Sequence, residues 1–495
     1  MCNMKKLFIF FAFLLVTAIT FTSCEKWLDV NTDPNAISDG PAITENIMLI
    51  GVEAEWAATA VARFPWYGSV SDWLLWYGIE ASTPASFIIN AGFANDIWGT
   101  YSGSLKHAVQ LYDKAKANGN IHYQGIAAVI AAWHWFYIAD VYDKAPLDEA
   151  MKGGEFFHPT VVSQEEIYAH ANALLDEAID LFAVADGGER VPRSSDDYML
   201  GGDIDKWSRL AYSLKARQAM RLIYAPGKTK VGQADLVLSY LQNGMTSNDD
   251  VCEWKHLDDL DNASWFYNDW VYDYSGEGMT PVNYVIDMMN TFNDPRRYIM
   301  FTFAEANPTG FIGIKEGAVI VPGNKPSRYK ASFVTKTYPD QIMLFSETNF
   351  LKAEALALKG QWTLAETAMK AGIRADMEYM GVPEADILAY LAQPILTMPT
   401  NEEAAQELII GQKYIANIYE TMESYFDFIR TGYPKLNFTY AITNVANPNT
   451  FPRRFPYPLD ELEKNPSVAD VGQPDWMIKG TTWDTKPFSW RSGTK

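Results

Sequence analysis

Large apolar side chains return every three or four residues in block after block of this chain, and three of the blocks close on a helix stop. Trp98, Tyr101, Leu105, Ala108, Leu111 and Tyr112 share one face, and Gly119 follows them. Ile126, Val129, Ile130, Trp133, Phe136 and Tyr137 repeat the pattern. A third helix opens on a capping box, Ser163 with Glu166, and runs through Leu174, Leu175, Leu181 and Phe182. A fourth covers Trp207, Leu210, Leu214, Ala219 and Ile223. The period resumes at Ser346, where Phe350, Leu351, Ala355 and Leu358 precede Gly360. Thr363 with Glu366 makes a second capping box. Leu408, Ile415, Ile418, Tyr419 and Met422 form one last long helix that Gly432 and Pro434 end. Helix pairs with short connections, small residues at close approaches and large aromatics between are the pattern of tetratricopeptide-like stacking. The expected fold is mainly all-α, with helical blocks over about 95–245 and 346–432. The repeats are degenerate, and no single consensus runs through them.

Between these blocks, roughly residues 250–330 are rich in Gly, Pro, Asn and aromatics and show no sustained period. The tail beyond Pro434 is similar, with Pro448, Pro452, Pro456, Pro458, Pro466 and Pro474. Ordered loops of such length are uncommon and often functional.

The start of the chain reads as a processing signal. Lys5 and Lys6 precede an apolar run from Leu7 to Ile19, then Thr22, Ser23 and Cys24. This describes a secretory signal peptide over 1–23. The run is shorter than the roughly 20 apolar residues of a spanning helix. Cys24, directly after a small residue, is the expected lipid attachment point, with an ordinary cysteine as the alternative. Phe21 stands where such signals usually carry Leu. One acyl chain holds a protein only marginally, at about 0.8 kcal/mol per buried methylene, so several chains are needed for durable anchoring. Residues 24–40 then form a polar tether and 41–495 a single domain.

Cys2 leaves with the signal and Cys24 is the lipid site, so Cys252 alone remains and no intrachain disulfide is expected. The core of so large a domain makes one unnecessary. Removing Lys5 and Lys6 takes the formal charge from −21 to −23 (−21 − 2). Such a surface repels nucleic acid and anionic lipid.

Seven segments in order carry a resemblance. They are Cys24–Asn35 (CEKWLDVNTDPN), Ala139–Ala150 (ADVYDKAPLDEA), Trp207–Arg221 (WSRLAYSLKARQAMR), Asp294-Pro-Arg296, Phe350–Gly360 (FLKAEALALKG), Gln412–Ile415 with Asp427–Pro434 (QKYI, DFIRTGYP), and Arg453–Pro458 (RRFPYP). Together they resemble the SusD/RagB-like nutrient-binding lipoproteins of Bacteroidetes-type outer membranes. The resemblance implies a tetratricopeptide-like α-fold and a partner, a SusC-like TonB-dependent β-barrel transporter. It further implies attachment to the outer membrane facing the cell exterior, although Glu25-Lys26-Trp27 only partly matches the acidic signal for that face. Ligands implied are oligosaccharides, sometimes peptides. The motif residues Trp207, Arg217, Arg221, Glu354 and Arg430 read as packing and paired buried charge rather than as a ligand site.

Ligand candidates are the aromatics outside the helical period. One set is Trp66, Trp73, Trp76 and Tyr77, and the other is Trp265, Tyr267, Asn268, Asp269, Trp270 and Tyr274. A pyranose packs its C–H face on a ring, and Asn and Asp supply hydrogen bonds at its edge. The competing reading is that these rings fill core. No catalytic motif emerges. There is no nucleophile elbow and no His-Glu-x-x-His, and Gly227-Lys-Thr229 lacks the first glycine of a phosphate loop. The run from Asp258 to Asn262 lacks the spacing of a calcium loop. No cofactor or metal is expected. A surface glycoside hydrolase and a pure scaffold are the competing classes, since a carboxylate pair cannot be picked out by counting among 61 Asp and Glu.

Overall fold

Among the described residues, twelve helices have eight residues or more. They are α1 (Glu45–Ala57), α2 (Ser104–Asn118), α3 (Ile121–Tyr142), α4 (Gln164–Phe182), α5 (Ile204–Arg221) and α6 (Lys230–Tyr240). There follow α7 (Asn283–Thr291), α8 (Phe345–Leu358), α9 (Trp362–Tyr379), α10 (Glu384–Leu391), α11 (Glu402–Ala416) and α12 (Thr421–Thr431). The computed structural model describes residues 43–62, 76–77, 95–268, 280–315, 323–418, 420–435 and 454–472. Met1–Thr44 stands as one unit and Glu45–Lys495 as another.

Consecutive helices pack as pairs, α2 on α3, α3 on α4, α5 on α6 and α8 on α9, which is the tetratricopeptide-like arrangement. Helix α3 is the centre. All of its residues but Ile121 are buried, so its sequence is apolar on every face rather than on one stripe. It is the one described helix long and apolar enough to cross a membrane, and it is wholly enclosed by protein. Gly125 lets α4 approach: a Cβ there would lie 2.5 Å from the Phe182 ring. Gly119 takes φ +70° to end α2, and only Asn120 separates it from α3.

The capping box at Ser163 is present, with Glu166 N–H donating to Ser163 and the Glu166 carboxylate accepting from the Ser163 backbone. The second box is not. Thr363 lies inside the first turn of α9, whose N-cap is Gln361 with no side-chain cap. Glu366 is drawn away by Lys370 at 2.8 Å and by the Met398 N–H at 2.8 Å. The expected long last helix is also two helices. It breaks after Ala416, and the turn through Asn417 and Glu420 lets α11 and α12 present charges to one point.

Strand structure is slight. Antiparallel pairs join β1 (Trp76–Tyr77) to β5 (Thr280–Pro281), β2 (Ala145–Pro146) to β3 (Val161–Val162), and β4 (Cys252–Trp254) to β6 (Asp340–Met343). The stretch read as irregular contains β4, β5 and α7, each too short to show a period.

Candidate functional site

The charged residues of the sequence motifs converge on one buried node. Arg217 and Arg221 come from α5, Asp140 from α3, Glu347 and Glu354 from α8, and Lys413 from α11. Glu420 precedes α12, which supplies Glu423, Asp427 and Arg430. The Arg217 Nε donates to Glu347 at 2.9 Å, and its guanidinium lies 3.7 Å from Glu420 and 3.6 Å from Glu423. Arg221 reaches Asp140 at 3.2 Å and Glu423 at 2.8 Å. Lys413 reaches Asp427 at 2.7 Å. Arg430 grips Glu354 with both amino groups, at 2.6 and 2.9 Å, and Asp427 at 2.8 Å.

Asp140, Glu347, Glu354, Glu420, Glu423 and Asp427 thus face Arg217, Arg221, Lys413 and Arg430, six carboxyls against four cations. The imbalance shows in the acidities. Burial pushes Glu420 well above the usual range, reinforced by Glu347 and only partly offset by Arg217. Burial also lifts Asp140 to about 6 against the pull of Arg221 and Tyr168. At Asp427 burial acts the same way, but Lys413 and Arg430 overcome it and hold the carboxyl low. The node is almost wholly buried and ties five segments together, and both Glu420 carboxylate oxygens lack a hydrogen-bond partner among the described residues.

Three further motif residues are likewise architectural. Arg296 is wholly buried between Asp294 and Asp376, at 2.5 Å from each. Tyr457 stacks on Tyr142 at 5.6 Å and donates to the Lys144 carbonyl at 2.7 Å, clamping the end of α3. Trp207 is fully buried, stacked on Trp56, and its indole N–H donates to Asp197 at 2.7 Å.

The candidate ligand residues are only partly within the described structure. Trp66, Trp73, Asp269, Trp270 and Tyr274 lie outside the described residues, as do the side chains of Trp76, Tyr77 and Trp265. What the fold does show is a junction. Trp76 pairs with Pro281 and Tyr77 with Thr280, so the end of the first aromatic segment is laced to the strand that follows the second. Tyr267 is half-buried against the main core. Asn268 is half-buried, and its buried Oδ1 has no hydrogen-bond partner among the described residues. Its neighbour Phe266 is core, edge-on to Tyr329 at 5.7 Å. Half-buried Trp254 on β4 meets Tyr198 at 5.7 Å, and Tyr198 is 53% exposed.

His256 sits 2.9 Å from Asp340. Asp259 accepts from the Asn262 N–H at 2.8 Å in an exposed loop. Among the described residues, no group of three or more His, Cys, Asp or Glu is arranged to hold a metal. A groove of about 370 Å³ is lined by residues that include Tyr112, Ala131, Trp135 and His170; Trp135 is 2% exposed and lies at right angles to His170. Tyr298 and Phe303 are exposed rings just behind Asp294-Pro-Arg296 that are absent from the sequence-based candidates. Their only signal was position in the aromatic-rich stretch, next to a marker read as architectural.

A stack of helix pairs, locked by internal charge and carrying an irregular face with exposed aromatics, has the build of a scaffold that presents a binding surface. The chain belongs to the SusD-like family. The model for that family, described as starch-binding and associating with the outer membrane, matches residues 75–458. Solved structures agree in fold. A SusD/RagB family protein from Bacteroides thetaiotaomicron is 24% identical, with a TM-score of 0.71 over 92% of this chain and 100% of that one. A SusD homolog from Bacteroides uniformis is 22% identical, with a TM-score of 0.74 over 89% of this chain and 99% of that one. A chain called a chitin-binding protein is 22% identical, with a TM-score of 0.73 over 90% of this chain and 100% of that one. A comparison with curated proteins found no match.

Proposed function

We propose that this protein captures an oligosaccharide at the outer membrane and passes it to a SusC-like TonB-dependent transporter, without performing chemistry on it. The observation that carries this reading is the family match over residues 75–458, to a family described as starch-binding and outer-membrane-associated. The end-to-end fold shared with a chitin-binding protein supports a glycan over other nutrients. In this reading residues 1–23 are a signal peptide, Cys24 carries the lipid, 24–40 are the tether, and 41–495 are one domain facing the cell exterior. The ligand surface lies in the region of about 250–330, together with the segment that β1 joins to it. Trp265, Tyr267, Asn268, Asp269, Trp270 and Tyr274 are the ligand candidates there, with Trp66, Trp73, Trp76 and Tyr77 from the joined segment. Stacking and hydrogen bonding at such a surface hold a sugar without a catalytic group.

The test is a form of the protein starting at Glu25, screened on a glycan array beside a set of oligopeptides. Saturable binding to a glycan that is recovered uncleaved is the expected result. Turnover of the bound glycan, or binding of peptides alone, would overturn it.

A further inference from the structure

Tyr298, Phe303 and Phe311 form a three-ring cluster on the irregular face. Their centroids lie 6.1 Å apart for Tyr298 and Phe303, 5.2 Å for Tyr298 and Phe311, and 5.0 Å for Phe303 and Phe311. Phe311 is buried beneath, whereas Tyr298 is 54% exposed and Phe303 45%. The cluster is mounted rigidly despite its lack of regular structure. Arg297 backs it, 5.4 Å from the Phe311 ring, and is itself fixed by Asn290 and Asn293 at 2.6 Å each and by the Asp294 carbonyl at 2.8 Å. The Thr302 N–H donates to the Arg328 carbonyl at 2.8 Å, and the Glu305 N–H to the Lys325 carbonyl at 2.9 Å. Lys330 donates to the Tyr298 carbonyl at 2.6 Å. Two ring faces are therefore held in water by a frame that has already given up its freedom, so a ligand meets them preorganised.

We propose that Tyr298 and Phe303 are a pyranose-binding corner for a neutral oligosaccharide, an inference that rests on the capture reading above. The two exposed ring planes meet at 87°, so one flat sugar cannot stack on both. A single unit seats its C–H face on one ring, and its edge substituent or the next unit of a bent chain packs against the other. Thr302, Glu305 and Asn307, next to Phe303 in the chain, are exposed; each accepts an internal hydrogen bond, from the Arg328, Lys325 and Thr309 N–H groups, and the second Glu305 oxygen and the Asn307 amino group remain to meet sugar hydroxyls. The scale also favours a sugar. A stable protein interface buries roughly 1,200–2,000 Å², far more than two half-exposed rings and the neighbouring Ile312 provide.

The experiment is isothermal titration of the Glu25-start protein with chitohexaose and maltohexaose, comparing the parent, Tyr298→Ala, the Tyr298→Ala/Phe303→Ala pair, and Phe157→Ala, 80% exposed and outside the irregular region, as an exposed aromatic control. The expected result is at least a tenfold loss of affinity in the pair, a smaller loss in Tyr298→Ala, and parent affinity in the control. Circular dichroism unchanged from the parent establishes that the variants fold, and Tyr298→Phe, which keeps the ring, restores binding. Parent affinity in the pair overturns the corner while leaving the capture reading intact. A parent protein that binds neither saccharide, or any other glycan on the array, overturns both.

Discussion

His134 offers a quantitative test of the core. It lies in the middle of α3, is 1% exposed, and neither ring nitrogen has a hydrogen-bond partner among the described residues. Burial lowers its pKa from 6.5 to about 3, because nothing nearby compensates a charged imidazolium. The unfolded chain takes up a proton as pH falls through 6.5, and the folded chain resists until about 3. Stability is therefore fullest above 6.5 and is lost progressively as pH falls toward the folded value. Each pH unit below 6.5 costs about 1.4 kcal/mol, so the interval from neutrality to about pH 5 removes about 2 kcal/mol through this one ring. Substituting His134→Leu removes the titration and the two unpaired nitrogens, each of which costs about 1–3 kcal/mol. Urea denaturation of parent and variant at about pH 7.5 and about pH 5 isolates the effect, because every other titrating group is common to both. The parent should lose about 2 kcal/mol more than the variant, and the variant should be at least as stable at the higher pH. Equal losses in the two proteins would refute the argument that this ring is buried neutral and uncompensated.

Glu53 has the opposite sign. Burial, with Asp197 beside it, raises its carboxyl well above the usual range, so the folded state keeps a proton that the unfolded chain releases near 4.5. Its stabilising effect is complete below that value and fades as pH rises, and Glu53→Gln should flatten the fall of the urea midpoint as pH rises above 4.5. In the charged node, Arg430→Leu strands Glu354 and should cost about 3–5 kcal/mol by the same assay. Joining it to Glu354→Leu should recover part of that loss, since the uncompensated carboxylate is then gone.

The helical scaffold was legible because periodic burial leaves a periodic sequence. Leu105, Leu111, Leu175 and Leu214 fell on buried faces as expected. The capping box at Ser163 was legible because its partners are three residues apart. Thr363 misled because Glu366 has a better partner in Lys370 and another in the distant Met398, which no local pattern reveals. The break after Ala416 was hidden for a similar reason: Ile415, Ile418 and Met422 keep an apolar rhythm through the turn. Arg217, Arg221, Glu354 and Arg430 were correctly read as paired and buried. Their partners, 130 residues away for Arg217 and 202 for Arg221, belong to the three-dimensional fold alone. Exposure of Tyr298 and Phe303 was not legible, since an aromatic in an aperiodic stretch carries no mark of which side faces water.

The short β1–β5 ladder makes the irregular face a discontinuous epitope. Residues 76–77 and 280–281 are separated by some two hundred positions, yet they are neighbours across two strands. A synthetic peptide copying only one of these segments lacks its strand partner. Antibodies raised against such linear peptides would recognise an unfolded chain rather than the native face. Antigens for blocking this surface must therefore be the folded protein itself.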